Sequence, residues 1–257
     1  MNILCIGDVT GDIGCEYVRR ILPHLKREYK IDVVIANGEN SAPKNGITKS
    51  SANHLFTSGV DVITTGNHAF RQKDSLDFFD ECEYLLRPAN FSPDSTGKGA
   101  CIIDKGFLQI CVINAIGRVY IGDYSSPFDS IENLLDEYKD CKIKIIDFHA
   151  EATAEKRAIG FYFDGKVSAI LGTHTHVQTA DEQILENGTA YITDLGMTGP
   201  IHSVLGVKSS LSIKSLKDNI SVPFEISDGL CSLQGVLMNI NNNSGFCEKI
   251  IRINCQF

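Results

Sequence analysis

Gly172-Thr173-His174-Thr175-His176-Val177-Gln178 is the most informative stretch of this 257-residue chain. An apolar run over residues 167–171 precedes it and is short enough to be one buried strand. In extended backbone, residues two apart point to the same side, so His174 and His176 would project together. On a helix the same spacing would direct them apart. Two adjacent imidazoles can hold one metal ion or one each of a close pair, whereas two surface-loop histidines would hold none.

The composition is that of a globular protein. Apolar residues make up 43% of the chain, enough for a sizeable core. The length allows one large domain or two small ones. Strand-like segments alternate with amphipathic helical segments from end to end, without a low-complexity linker. We therefore expect one α/β domain over residues 1–257.

Charge, cysteine usage and the chain start exclude several classes of protein. The net charge of −8 argues against binding to duplex nucleic acid, but a small anionic substrate remains compatible because metal ions reverse the local charge. Nine cysteines without a Cys-x-x-Cys pair fit a reducing cytosol and leave no zinc–thiolate motif. Residues 1–8 do not resemble a signal peptide, and no apolar run approaches the ~20 residues of a membrane span. We expect a cytoplasmic protein without membrane attachment.

Apolar and turn patterns predict the order of the elements. Strands are expected at residues 3–6, 31–36, 60–64, 142–148, 167–171 and 190–193, with helices at 16–29, 48–58, 73–81, 127–138 and 151–157. Hairpins are expected at 100–104 with 108–114, and at 229–240 with 248–253. Asp129 or Ser130 would cap the helix at 127–138. Residues 197–208 would form a flexible lid or an ordered crossover.

Five of these strands end in groups that can bind a metal or transfer a proton. Parallel strands place their carboxyl ends along one edge of a sheet, so the groups would meet in one crevice. The three histidines His149, His174 and His176 suit manganese, iron or zinc, whereas magnesium or calcium would take oxygen ligands alone. A carboxylate bridges two such ions best, and Glu39 is the candidate bridge. The groups are Asp8, Glu39, Asn40, Asn67, His68, His149, His174 and His176.

The five motif blocks are Gly7-Asp8, Gly38-Glu39-Asn40, Gly66-Asn67-His68, His149 and Gly172-Thr173-His174-Thr175-His176. In order and type they resemble the calcineurin-like metallophosphoesterases. The superfamily usually has a histidine where this chain has Thr10, a bridging aspartate where it has Glu39, and an acid where it has Ala69. These departures are those of the YmdB-like bacterial phosphodiesterases. The resemblance extends to Arg87-Pro88-Ala89-Asn90 and Thr193-Asp194-Leu195-Gly196-Met197-Thr198-Gly199.

The resemblance implies a four-layer α/β/β/α sandwich and two transition-metal ions, iron or manganese in preference to zinc. One ion would be held by Asp8, Glu39, Asn40 and His176, and the other by Glu39, Asn67, His149 and His174. Asn40 would replace the ligand that is lost at Thr10. Members of the subfamily are associated with hydrolysis of cyclic nucleotides and other phosphodiesters, so a small phosphodiester, first of all a cyclic nucleotide, is the expected partner.

Such chemistry gives His68 a role. Two cations would polarise the phosphoryl oxygens and lower the pKa of a shared water, so that a metal-bridging hydroxide attacks phosphorus in line. His68 follows the expected ligand Asn67, and as imidazolium it would donate a proton to the leaving alkoxide or stabilise the transition state. The alternative is a structural histidine that supports a ligand or caps a helix. His24, His54 and His202 are expected to be ordinary side chains.

Two other functions compete with this hypothesis. The metal site could belong to a regulatory or binding protein in which turnover is secondary. The glycines Gly7, Gly11 and Gly14 could serve a nucleotide-dependent oxidoreductase, but their spacing is not Gly-x-Gly-x-x-Gly and the histidines would have no role. The sequence leaves open whether a cyclic substrate is the 2′,3′ or the 3′,5′ isomer, and whether the chain forms a homo-oligomer.

Overall fold

Two β-sheets stack face to face in the computed structural model, which describes residues 1–256. Phe257, the last residue of the expected domain, lies outside the described residues. The strands are β1 (Asn2–Ile6), β2 (Asp8–Val9), β3 (Val33–Asn37), β4 (Val62–Thr64), β5 (Ala100–Asp104), β6 (Gln109–Ile116), β7 (Ile143–His149), β8 (Ala169–Thr173), β9 (Gln183–Ile184), β10 (Ala190–Ile192), β11 (Met197–Pro200), β12 (Cys231–Ile240) and β13 (Cys247–Gln256). The helices are α1 (Gly11–Tyr29), α2 (Lys49–Thr57), α3 (Leu76–Glu81), α4 (Pro127–Glu137), α5 (Thr153–Tyr162) and α6 (Ser209–Asp218), with a 3₁₀ turn at Lys73–Ser75.

The two sheets differ in topology. The first has the order β2-β11-β12-β1-β3-β4, with β13 paired to β12. Its strands β1, β3 and β4 are parallel, while β12 runs antiparallel to β1. The second sheet has the order β5-β6-β7-β8-β10-β9, and β6, β7, β8 and β10 are parallel. Each sheet therefore has a set of neighbouring strands whose carboxyl ends lie together.

Three apolar cores separate four layers. Alternate side chains of β1, β3, β6 and β7 form a core between the two sheets, and Ile3 and Ile145 belong to it. The opposite face of the first sheet packs on α1 and α2, where Leu22 and Leu55 are buried. The opposite face of the second sheet packs on α4 and α5. Because each sheet is apolar on both faces, it needs a cover on both sides. The predicted α/β/β/α sandwich is confirmed.

Most predicted elements are present, and the differences have local causes. Helix α1 begins at Gly11, five residues earlier than expected, because the glycines after β1 allow close packing. A Cβ on Gly14 would lie 2.6 Å from the carbonyl oxygen of Thr198 in β11. Helix α4 is capped by Ser126, whose Oγ accepts a hydrogen bond from the amide of Asp129, so the predicted cap was wrong.

Residues 197–208 are not a single loop, because they begin with the buried strand β11. Helix α6 was not predicted, and none of its residues is buried. Both predicted hairpins are confirmed as β5–β6 and β12–β13. Within residues 1–256, no helix combines the length and the apolar composition that crossing a bilayer requires.

Candidate metal centre

The predicted ligand residues come from strand ends in both sheets. Asp8 lies just beyond β1 as the first residue of β2, Glu39 and Asn40 follow β3, and Asn67 and His68 follow β4, all in the first sheet. His149 ends β7 and the two remaining histidines, His174 and His176, follow β8, all in the second sheet. The expectation of one sheet edge was wrong, because stacking through the shared core brings the strand ends of two sheets side by side.

His149 is the centre of one group of candidate ligand atoms. Its Nε2 lies 3.0 Å from Asn67 Oδ1, 3.0 Å from His174 Nδ1 and 3.2 Å from Glu39 Oε1. Ligand atoms of Glu39, His149 and His174 all lie within 4.8 Å of one another. Both Glu39 and His149 are fully buried. Such a density of nitrogen and carboxylate donors around one point is typical of a transition-metal site.

A second group surrounds His176 Nε2. This atom lies 3.1 Å from Asn40 Nδ2 and 3.6 Å from Asp8 Oδ1. Asn40 Nδ2 is also 3.3 Å from Glu39 Oε1, so the Glu39 carboxylate contacts both groups. The Asn40 amide turns its nitrogen toward His176 and its oxygen toward His68. A ligand role for Asn40 requires the opposite amide orientation, which exchanges the two atoms without moving the side chain.

Hydrogen bonds fix which nitrogen of His149 carries a proton. The Thr173 hydroxyl donates to Asp147 Oδ1 at 2.7 Å, so it accepts from His149 Nδ1 at 3.0 Å. When His149 is neutral, the lone pair of its Nε2 is thereby directed into the cluster. Burial raises the pKa of Asp147 to about 6, against the hydroxyl hydrogen bonds from Thr64 and Thr173 that lower it.

The other two histidines are oriented in the same manner. His174 Nε2 lies 3.1 Å from Glu151 Oε2, and His176 Nδ1 lies 3.2 Å from the carbonyl oxygen of Leu205. Each of these oxygens can only accept, so the opposite ring nitrogen presents its lone pair to the cluster. Outer partners of this kind orient histidines that bind metals.

The charges of the cluster support cation binding. Burial raises the pKa of the Glu39 carboxyl, but His149 outweighs it and holds the pKa well below its usual value. Burial also raises the pKa of Asp8, but the neighbouring His176 outweighs burial, so the pKa of Asp8 is lowered. Burial lowers the pKa of His149, yet Glu39 raises it to about 9, while burial and His149 lower the pKa of His174. A proton and a metal cation therefore compete for His149.

The turn that carries two of the histidines is strained. His174 has φ 104° and His176 has φ 64°, so neither has the extended backbone expected from the sequence. Asp194 Oδ2 accepts from the amide and the hydroxyl of Thr175, at 3.0 and 2.8 Å. The same oxygen pairs with Lys156 Nζ at 2.7 Å, and both side chains are buried. Strained backbone persists where its surroundings over-determine it, as they do here.

Sequence reasoning missed the residues that support the ligands. Asp147 could have been found, because a carboxylate inside the apolar strand β7 is unusual. Thr173 lies in the quoted histidine stretch but was given no role. Lys156 and Glu151 carry no local signal, because their partners are distant in sequence and meet only in the folded chain. Asp194 follows the predicted strand at 190–193, but it was given no role.

His68 lies beside the cluster, and its ring nitrogen Nδ1 is 3.2 Å from Asn40 Oδ1 and 3.3 Å from Glu39 Oε1. Its side chain is 26% exposed and lines the cavities on either side of it. His24 and His54 instead contact carboxylates of α1, at 3.4 and 3.7 Å. The donor set as a whole fits transition-metal ions: ionised carboxylates, an amide oxygen and three imidazoles with lone pairs directed inward.

Comparison with known proteins finds relatives along the whole chain. A family model described as YmdB-like protein matches residues 4–253. The chain is 44% identical over 254 residues to a 2′,3′-cyclic-nucleotide 2′-phosphodiesterase of Bacillus subtilis (strain 168), which covers 98% of this chain and 96% of that protein. It is also similar to the crystal structure of a novel phosphatase from Mycoplasma pneumoniae, with TM-score 0.94, 34% identity and coverage of 100% and 93%. The crystal structure of a hypothetical protein from Thermus thermophilus matches with TM-score 0.93, 34% identity and coverage of 100% and 99%.

Proposed function

Because the chain belongs to the YmdB-like protein family, we propose that it is a metal-dependent phosphodiesterase, with 2′,3′-cyclic nucleotides as its first substrate class. The observation that carries the proposal is the convergence of three oriented imidazoles on two buried carboxylates. The name of the relative from Bacillus subtilis supports the class of substrate. The unpaired cysteines are compatible with a cytoplasmic location.

The proposed ligand sets follow the two groups of the cluster. Asp8, Glu39, Asn40 and His176 would hold one ion, and Glu39, Asn67, His149 and His174 the other. Glu39 would bridge them, since its carboxylate contacts both groups. Iron or manganese is the proposed metal, with zinc as the alternative, because imidazole and carboxylate together suit all three.

Bound metal ions would supply Lewis acidity, polarising the phosphoryl oxygens and lowering the pKa of the attacking water. The residues of the chain do the rest. Glu39 Oε1 lies 3.3 Å from His68 Nδ1, so Nε2 is the nitrogen that would give its proton to the departing alkoxide. The buried position of the carboxylates keeps their charge directed at the cluster rather than at solvent.

The test combines elemental analysis with a panel of phosphodiesters. We expect two transition-metal ions per chain and hydrolysis of 2′,3′-cyclic AMP that is lost after chelation and restored by Mn²⁺. Metal-free protein that cleaved the substrate at full rate would contradict the proposal.

Variants separate the site from the fold. His149→Ala is expected to lose one metal ion per chain and nearly all hydrolysis, with circular dichroism unchanged. His24→Ala, at an exposed histidine of α1, is the matched control and should keep both. His68→Ala should keep the metal content but lose turnover.

A further inference from the structure

Two cavities meet at the candidate metal centre. The apolar cleft has a volume of about 550 Å³, and its lining includes Leu205, Leu216 and Phe224, in and beside α6. The aromatic groove, about 580 Å³, is lined by Phe70, Arg71, Phe91, Ser92, Asp123 and Tyr124. His68 lines both cavities and therefore forms the ridge between them.

The aromatic groove has the chemistry of a nucleoside site. The rings of Phe91 and Tyr124 stack with centroids 5.1 Å apart and planes 17° apart. Phe70 supports this pair edge-on, 5.4 Å from Phe91. A nucleobase stacks on such a platform whatever its identity, because every base has a π face. Arg71 and Asp123 are exposed beside it and supply a donor and an acceptor for ribose hydroxyls or base edges.

The groove is continuous with the reacting centre. Asn67, a proposed ligand, lines it together with His68. A group bound in the groove would therefore lie next to the phosphorus atom.

The number of cavities bears on the substrate. In a cyclic nucleotide both ester oxygens belong to one ribose, so only one nucleoside is attached to the phosphorus and one cavity is enough. In a linear diester two nucleosides diverge from two ester oxygens and need two cavities.

We propose that this site also hydrolyses linear dinucleoside phosphodiesters, with one nucleoside in the apolar cleft and the second in the aromatic groove. The inference rests on the proposed phosphodiesterase function.

The reaction balances without a further reactant. The oxygen of one water forms a bond to phosphorus, and the bond from phosphorus to one ester oxygen breaks. One proton of the water is released, and the departing alkoxide takes up a proton from the site. The products are a nucleoside monophosphate and a nucleoside.

The experiment measures kcat/KM of the Mn²⁺-loaded full chain with adenylyl-(3′→5′)-adenosine and with 2′,3′-cyclic AMP. We expect both to be hydrolysed. Phe91→Ala should lower kcat/KM about tenfold or more for the linear substrate, because a stacking platform is lost, and less than about threefold for the cyclic one. Arg71→Ala, at an exposed side chain that leaves the core intact, should raise KM for the linear substrate alone.

A control variant and the two substrates together distinguish failure of this inference from failure of the proposed function. Phe107→Ala removes a phenylalanine that is 75% exposed at the β5–β6 turn, and it should change neither substrate. Hydrolysis of the cyclic substrate without the linear one would overturn this inference and leave the proposed function intact. Equal losses for both substrates in Phe91→Ala and Arg71→Ala would also overturn it. If neither substrate were hydrolysed, the proposed function itself would be contradicted.

Discussion

Gly66 shows how little room the candidate metal centre leaves at the residue scale. A Cβ at this position would lie 2.3 Å from His149 Nε2 and 2.4 Å from Glu39 Oε2. Gly66 does not have a positive φ, so its absent side chain serves close approach rather than backbone freedom. The residue before Asn67 is thus as constrained as the ligands themselves.

We expect Gly66→Ala to lower the affinity for Mn²⁺ at least tenfold, because the added methyl group displaces His149 and Glu39. Isothermal titration of the metal-free protein measures this. Gly106→Ala is the control: a Cβ there meets nothing within 4 Å, and its φ of +81° should cost only about 1–2 kcal/mol of stability. Unchanged metal affinity in Gly66→Ala would contradict the expected displacement.

The ligand types were predictable from the sequence at this scale, and their supports were not. Asp8, Glu39 and His149 each follow or end an apolar strand, and that pattern can be recognised in the amino-acid sequence alone. The hydroxyl of Thr173 orients His149 across two neighbouring strands. Contacts of that kind depend on strand register, which a single sequence does not specify.

At the scale of elements, the turn after β8 depends on a buried ion pair. Lys156 of α5 pairs with Asp194, which in turn holds Thr175 between the two histidines. Removing one partner of a buried pair leaves an uncompensated charge, which costs far more than the pair contributes.

Lys156→Met should therefore lower the free energy of unfolding by about 3–5 kcal/mol, measured by urea denaturation. Lys98→Met is the matched control, because its pair with Glu83 spans 3.6 Å between side chains that are 64% and 57% exposed. An exposed pair of this type contributes less than about 1 kcal/mol. Similar losses in the two variants would show that Asp194 does not need its buried counter-charge.

Elements with a clear apolar period were predictable, and those set by their surroundings were not. Helix α2 lies within one residue of its predicted bounds, with Thr48 as its N-cap. Helix α6 buries none of its residues, and its apolar side chains Ile213 and Leu216 are exposed, so no core packing fixes it. Strand β11 is only four residues long and exists because β12 and β2 flank it.

At the scale of the whole molecule, the candidate centre connects the two sheets. Membership of the YmdB-like family and the α/β/β/α sandwich, both expected from the motif blocks, are confirmed. The distribution of the ligands over two sheets was not predictable, because the motif order does not say which strands pair. A cation held by both sheets should stabilise the native state, since the unfolded chain offers no such cluster.

We expect Mn²⁺ at about 100 times its dissociation constant to stabilise the chelated protein by about 2.7 kcal/mol. For a chain of this size that corresponds to a rise in Tm of roughly 5–10 °C, measured by calorimetry. The rise should be much smaller in His149→Ala. A Tm that does not respond to Mn²⁺ would be inconsistent with a centre that links the sheets.

The position of β12 has a consequence for the order in which the protein folds. This strand comes from near the end of the chain, yet it lies beside β1 in the middle of the first sheet. Until residues 231–240 have been synthesised, β1 lacks that neighbour, and the segment bearing Asp8 lies beside an incomplete sheet. Pairs such as Ile6 with Gly235 are far apart in the sequence, so closing this sheet is a long-range step of folding that the segment bearing Asp8 has to wait for.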